Sequence, residues 1–414
     1  MKYAGKGNSE RILAAASRGI LDWNTKSITL DDCIETIRRE DPEIARAAAS
    51  VLFEYFRHKE LLDHLVMSSV SRGTIRMEVK AVALSALAQA LFQTAIAGES
   101  AVNVAVEHLK HTRQRAAAGF LNAVLRNALR TVGKGPFPPD FPDLLKDRWN
   151  RSYGSEKTGE MIQACSENPP MAYRLRSGEL SADLAEVSVP LALDFTGDFT
   201  FFECSAPEVL FRSEAFLNGR IYIQDPATAM SVTLCKPFLR GQVLDACAAP
   251  GGKTVLMYDS AMDHADFTAA DRSAFRIEAM RENFKRLAMP SVKAIEMDAV
   301  KPHIPRESFD LIFIDAPCSN TGVARRRPDV PWRFHRQRLA EVVALQKKIL
   351  DGLAPLVRSG GALLYSTCSI EPEEDILQVE QFLKRHPEFQ ETASRVLLPE
   401  VHHDGAFATL LVRH

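Results

Sequence analysis

Through about residue 132, apolar side chains recur every three or four positions. Leu121, Val124, Leu125, Ala128 and Leu129 follow the i, i+3, i+4, i+7, i+8 series that lines one face of an α-helix. Similar stripes run over 11–21, 44–65 and 78–97, and proline is confined to Pro42, which suits a first helical turn. Several such stripes with short connections predict an all-α bundle over 1–132. The pattern breaks between Gly133 and Pro142, where four prolines fix φ and remove donors, so 133–142 reads as a semi-rigid linker. From 143 to 222 the pattern is mixed. It is helical over 144–153 and 155–165, extended from Asn168 to Arg176, then made of short strand-like pieces and turns, which reads as a small α+β module. From about 223 apolar runs alternate with helical stripes. Strands are predicted over 242–247, 266–271, 292–298, 309–315, 362–367 and 406–412, with helices over 273–287 and 337–357 between them. That alternation predicts an α/β, doubly wound parallel sheet in the last 190 residues or so.

Composition narrows the class. At 414 residues, 46% hydrophobic and 25% charged, the chain has material for two or three packed domains. It contains no run of 18 apolar residues and no apolar signal core after Met1, so a cytoplasmic protein without a membrane span is expected. Seven cysteines without paired spacing fit reduced thiols and not a disulfide framework. The net charge of −2 hides local excesses. Lys110, Arg113, Arg115, Arg126 and Arg130 fall in a stretch without an acid. Between 323 and 338 stand Arg325, Arg326, Arg327, Arg333, Arg336 and Arg338 against the single acid Asp329. Each stripe is read equally well as a track for a phosphate backbone or as a solvated face.

The candidate chemistry clusters behind the predicted strands. Cys318 follows 309–315, Cys368 follows 362–367, and a small-residue loop from Cys247 to Lys253 follows 242–247. Ligands of open α/β sheets bind at the carboxyl ends of the strands, and three strands end in an acid: Asp271, Asp298 and Asp315. A P-loop would need Gly where Cys247 stands, and G-x-G-x-x-G is absent, so nucleotide triphosphates and dinucleotides are disfavoured. An acid about 20 residues after the loop suits ribose hydroxyls, although strand-end Asp residues also cap the next helix. Taken singly, either cysteine is more readily a small buried apolar side chain than a nucleophile. Zinc spacing and C-x-x-C are both lacking, so no metal is expected.

On these residues the chain resembles the bacterial RNA cytosine-5 methyltransferases of the Sun/Fmu (RsmB-type) family. The resemblance implies a Rossmann-like class I methyltransferase domain over 223–414, with S-adenosyl-L-methionine as cofactor. Cys247, Ala248, Ala249, Pro250, Gly251, Gly252 and Lys253 match the family's cofactor loop. Asp271 with Arg276 matches its ribose-binding acid, and Asp298 and Asp315 fall on the other cofactor-contacting acids. The resemblance assigns Cys368 as nucleophile toward cytosine C6, Cys318 to product release, and Asp315 to the base edge. Lys253 is expected to add a positive field at the thiols.

The stretches 101–110 and 117–126 resemble a NusB-type RNA-binding domain, which implies small-subunit rRNA, naked or in an assembling particle, as the partner of a monomeric enzyme. Expected RNA contacts are Arg325, Arg326, Arg327 and Trp332, with Lys110, Arg113 and Arg115 in the bundle; Trp332 is read equally as a core residue. The 143–222 module is expected to touch RNA too. Three departures from the family pattern are Asn320, where Gly is common, Asp375, where Asn is common, and Arg176, where an Arg-x-Asn motif ends in Asn. The alternatives are the same chemistry on tRNA, or a non-catalytic RNA-binding assembly factor.

Overall fold

The computed structural model describes residues 7–70, 73–94, 96–133, 137–261 and 265–414. The first six residues and 134–136 of the Pro-rich segment lie outside it. The chain divides into two compact units, one of 1–167 with Arg327–Arg333, the other of 168–326 with 334–414.

The first unit is helical, as the stripes predict. Its helices are Asn8–Lys26, Leu30–Glu40, Pro42–Arg57, Lys59–Ser68, Met77–Phe92, Gly98–Lys110, Ala118–Thr131, Asp143–Tyr153 and Ser155–Ser166. Their stripes meet in one core built on Leu13, Ile20, Leu52, Tyr55, Phe56, Leu84, Leu121 and Leu125. The Leu30–Glu40 helix begins with a capping box, Thr29 receiving the Asp32 N–H while the Asp32 carboxylate receives that of Thr29. The single stripe 44–65 is two helices. The break falls at His58, and the Asp140 carboxylate accepts the N–H groups of Glu60 and Leu61 at 2.5 and 3.1 Å in the first turn of the second helix. The described part of the Pro-rich segment is therefore docked within this unit, with Phe137 against Phe92 and Phe141 against Trp149. The helices over 143–166, assigned to the α+β module by pattern, group with the bundle.

The second unit contains two sheets. The smaller is antiparallel, in the order β2-β3-β1-β4, from β1 (Met171–Leu175), β2 (Ser188–Leu191), β3 (Thr200–Cys204) and β4 (Ile221–Ile223). The larger has seven strands: β5 (Gly241–Asp245), β6 (Ala265–Asp271), β7 (Lys293–Glu296), β8 (Phe309–Asp315), β9 (Val357–Thr367), β10 (Phe389–Leu397) and β11 (Ala406–Arg413). Their order is β10-β11-β9-β8-β5-β6-β7, with only β11 running antiparallel to its neighbours.

Alternation sets the layers. Leu311 and Phe313 of β8 face one side with Val243, Phe267 and Leu364, where the helices Ala227–Cys235 and Gly252–Ser260 supply Ala229, Val232, Leu256 and Met257. Ile312 and Ile314 face the other side with Leu244, Leu363 and Tyr365, covered by Ile349, Leu350 and Leu353 of helix Arg336–Leu353 and Val379 and Phe382 of helix Ile376–Arg385. The winding direction reverses between β5 and β8. The cleft outside their carboxyl ends is where such sheets place ligands.

Candidate active site

The loop after β5 leads from Ala246 into helix Gly252–Ser260. Gly251 adopts φ +100°, and a Cβ there would lie 2.9 Å from the Phe284 ring and 3.1 Å from Met280. Glycine is therefore required here by the left-handed backbone and by close packing on helix Ala274–Arg286. Asp245 is buried below the loop, with the Thr254 hydroxyl donating to its Oδ2 at 2.6 Å, and burial pushes its carboxyl up to about 7. Its Oδ1 is buried with no hydrogen-bond partner among the described residues, so a donor from a bound molecule would complete it. Burial, followed by the charges of Asp245 and Asp315, pushes the Cys247 thiol up to about 12, which leaves it unreactive.

The strand-end acids differ in use. Asp271 is 4% exposed, is held by Arg276 Nη1 at 3.1 Å, and accepts the Ser273 N–H at 3.0 Å. It thus shapes the turn into the next helix from the carboxyl end of β6. Arg276 also donates to the Ala249 carbonyl, tying the loop to β6. Asp298 is exposed and accepts the Val300 N–H at 2.9 Å. Asp315 receives Lys253 Nζ at 2.5 Å. Burial acts to lower the Lys253 ammonium, but Asp315, with Cys368 and Cys318, outweighs it and holds the group above its ordinary value. Its charge is matched by Asp315, so the expected thiol-activating field is largely cancelled. The carboxylates, the unpaired Asp245 oxygen and the Arg276 clamp suit a ligand with hydroxyls and an ammonium, which S-adenosyl-L-methionine carries.

The two cysteines converge from adjacent strands. Cys318 Sγ and Cys368 Sγ are 3.1 Å apart, and both are free thiols. The Cys368 sulfur, then burial, hold the Cys318 thiol well above the ordinary range, so Cys318 keeps its proton beside its partner. The loops carrying them are clamped by Glu374, which is wholly buried. Its carboxylate accepts the Ser319 N–H at 2.8 Å, the Ser369 hydroxyl at 2.5 Å, the Gln346 amide at 3.0 Å and the Ser319 hydroxyl. At Gly322 a Cβ would meet the Gly405 carbonyl oxygen at 2.5 Å and the Cys368 carbonyl at 2.9 Å, so the loop after Cys318 lies flat against its neighbours.

Pattern did not single out Glu374. It sits in the acid-rich run 371–375, which looks like a solvated face, yet Glu371, Glu374 and Asp375 are each 3% exposed or less. Burial, acting before any other influence, raises the Asp375 carboxyl far above its usual range, and the Thr367 hydroxyl donates to it at 2.6 Å.

The expected RNA contacts separate. Lys110, Arg113 and Arg115 are exposed in the helical unit. Arg325 is 1% exposed, bonded to Asp404 at 3.1 Å and near Asp225 at 3.4 Å, and Arg326 pairs with the same two acids at 3.0 and 2.8 Å. This corrects the expectation that both reach phosphates: their charges are spent inside the fold. Arg327 pairs with Asp31 at 3.2 Å. Trp332 packs on the helical core, donates Nε1 to the Phe56 carbonyl at 2.8 Å and lies under Lys59, so of its two readings the structure takes the packed one. Among the described residues no group of three or more His, Cys, Asp or Glu is placed to hold a metal, and no helix is long and apolar enough to cross a membrane.

Comparison with known proteins adds the family. Residues 232–407 match the family described as 16S rRNA methyltransferase RsmB/F, and residues 11–130 match the NusB family. Ribosomal RNA small subunit methyltransferase B of Erwinia tasmaniensis is 33% identical over 72% of this chain and 71% of its own length. Its counterpart in Vibrio vulnificus is 29% identical over 94% of this chain and 95% of its own. The crystal structure of PH0851 superposes with a TM-score of 0.77 at 22% identity, covering 98% of this chain and 99% of that one. A methyltransferase homolog protein from Pyrococcus horikoshii does so with a TM-score of 0.56 at 22% identity, over 66% of this chain and 96% of that one. These likenesses establish a helical NusB segment ahead of a Rossmann-like methyltransferase sheet, and the chain belongs to the 16S rRNA methyltransferase RsmB/F family, whose methyl donor is S-adenosyl-L-methionine.

Proposed function

We propose that this protein methylates C5 of a cytosine in small-subunit rRNA through a covalent bond between Cys368 and the base. The observation that carries the reading is the pair of free thiols 3.1 Å apart at the ends of adjacent strands, beside Asp315 and Lys253. Bound S-adenosyl-L-methionine supplies an electrophilic methyl group. Cytosine C5 is a weak nucleophile; once the Cys368 thiol has given up its proton to solvent, addition of its sulfur to C6 turns the ring into an enamine whose C5 bonds to that methyl group. Asp315, which pairs with Lys253, bonds the base edge as charge develops there. With Cys368 bonded to carbon, Cys318 releases its thiol proton to solvent and as thiolate takes the C5 proton; the C5–C6 double bond re-forms as the Sγ–C6 bond breaks, and Cys368 leaves as thiolate and regains a proton from solvent. Asp271, Arg276, Asp298 and the Cys247–Lys253 loop hold the donor. Lys110, Arg113 and Arg115, exposed on the NusB-family segment, contact RNA phosphates.

Separate roles for the thiols give a sharp test. Cys368→Ala is expected to abolish methyl transfer while leaving donor binding close to normal. Cys318→Ala is expected to permit addition and methylation but slow elimination, so a protein–RNA adduct accumulates on a denaturing gel with labelled RNA. The double variant should form none. Turnover by Cys368→Ala would end the assignment, and an adduct in Cys368→Ala that requires Cys318 would exchange the two roles.

A further inference from the structure

We propose that Asn320 is a positioning residue for the Cys368 thiol, accepting its S–H through the amide oxygen and so fixing the direction of the sulfur until substrate arrives. The proposal rests on the reading of Cys368 as nucleophile, but its test does not.

Three observations carry it. First, Cys368 Sγ lies 2.9 Å from Asn320 Oδ1, while Cys318 Sγ is 4.0 Å from the same atom. Second, the orientation of the amide is fixed by its other end. Asn320 Nδ2 donates to the Cys318 carbonyl at 3.1 Å. Turning the amide over would set its oxygen against that carbonyl, with no hydrogen between them. The atom facing Cys368 is thus an acceptor for its S–H, a hydrogen bond that a thiolate cannot donate. Third, the sulfurs then form a directed chain: Cys318 S–H donates to Cys368 Sγ, and Cys368 S–H donates to Asn320.

The backbone explains how an amide comes to stand there. Asn320 is left-handed, at φ +64°, which Asn tolerates better than most residues and Gly adopts freely. The following residues hold it in place. Gly322 N–H donates to the Cys368 carbonyl at 3.0 Å, and Ile370 N–H to the Thr321 hydroxyl at 3.2 Å. The loop therefore keeps its course when the side chain changes, and Asn320→Gly removes the amide without backbone strain.

The experiment uses the full-length protein without RNA or methyl donor and measures iodoacetamide alkylation of Cys368 by peptide mass spectrometry across pH. In Asn320→Gly the rate profile is expected to move to lower pH, giving about 3- to 10-fold faster alkylation on its acid limb, the size of one ordinary hydrogen bond. The high-pH plateau should stay unchanged. Asn320→Asp, which places a carboxylate beside the sulfur, is expected to move the profile the opposite way. A Gly variant that is faster by one factor at every pH would show that the side chain merely limits access, and would overturn the proposal. So would coincident profiles for wild type and both variants. None of these outcomes bears on whether Cys368 attacks RNA, which the adduct gel decides by itself.

Discussion

Asp271 shows how one side chain serves both structure and ligand, and why its role is open in the sequence. A strand-end aspartate either caps the next helix or binds a ribose, and this one accepts the Ser273 N–H and pairs with Arg276 at the carboxyl end of β6. Asp271→Asn keeps an acceptor for Ser273 but removes the charge. We predict a loss of about 1.5–3 kcal/mol in S-adenosyl-L-methionine binding, or roughly 10- to 150-fold in affinity by calorimetry, with the fold retained. Unchanged affinity would remove the ribose role. The cysteines, the loop and the acids are legible because each directly follows an apolar run. Arg325 misleads for the opposite reason. Its partners Asp225 and Asp404 lie 100 and 79 positions away, and no local pattern announces a pair at that separation.

At the level of elements, strands with continuous apolar runs are legible to within a few residues, among them β8, which the expected bounds match. The strand β10 escapes the pattern. Its burial alternates between the interior and solvent along Phe389–Leu397, and its polar positions dilute the signal, as expected of the sheet's edge strand. The division of the 44–65 stripe at His58 is equally hidden, because the residue that caps the second helix is Asp140, 80 positions from Glu60. That cap has a consequence for stability. Burial, opposed only in part by the two N–H groups, pushes the Asp140 carboxyl from 3.8 up to about 6. Between those values the folded chain holds a proton that the unfolded chain has released. Folding is therefore favoured at the acid end of this window and loses stability as pH rises through it, the loss being complete above about 6. Asp140→Asn is expected to flatten this dependence in urea unfolding curves measured between pH 4 and 6.5. A variant with the wild-type slope would exclude Asp140 as its source.

For the molecule as a whole, a net charge of −2 suggests little affinity for RNA, and the apparent second basic stripe is largely neutralised by Asp225, Asp404, Asp31 and Asp329. Exposed positive charge remains on the helical unit at Arg113, Arg115, Arg126 and Arg130, while Lys110 pairs with Glu107 at 2.9 Å. Binding of small-subunit rRNA should weaken as salt rises. Replacing Arg113 and Arg115 by Gln should lower the slope of log affinity against log salt by about 1 for each phosphate that is no longer neutralised. Filter binding at several salt concentrations measures this. An unchanged slope would place the RNA elsewhere. Arg325→Gln, by comparison, should act on thermal unfolding and leave the slope unaltered.

The order of strands in the sheet also fixes a calendar for the site during synthesis. Cys318 is translated 50 residues before Cys368, and β9, which carries Cys368, has β8 on one side and β11 on the other. Gly405, just before β11, donates its N–H to the Gly322 carbonyl in the loop after Cys318. The thiol pair therefore gains its full support only when the segment 405–413 has left the ribosome. A nascent chain can fold its helical unit and load β5 to β8 before Cys368 is written. On the role proposed for Cys368, the sulfur that bonds to RNA comes under the control of its neighbours only in the finished sheet.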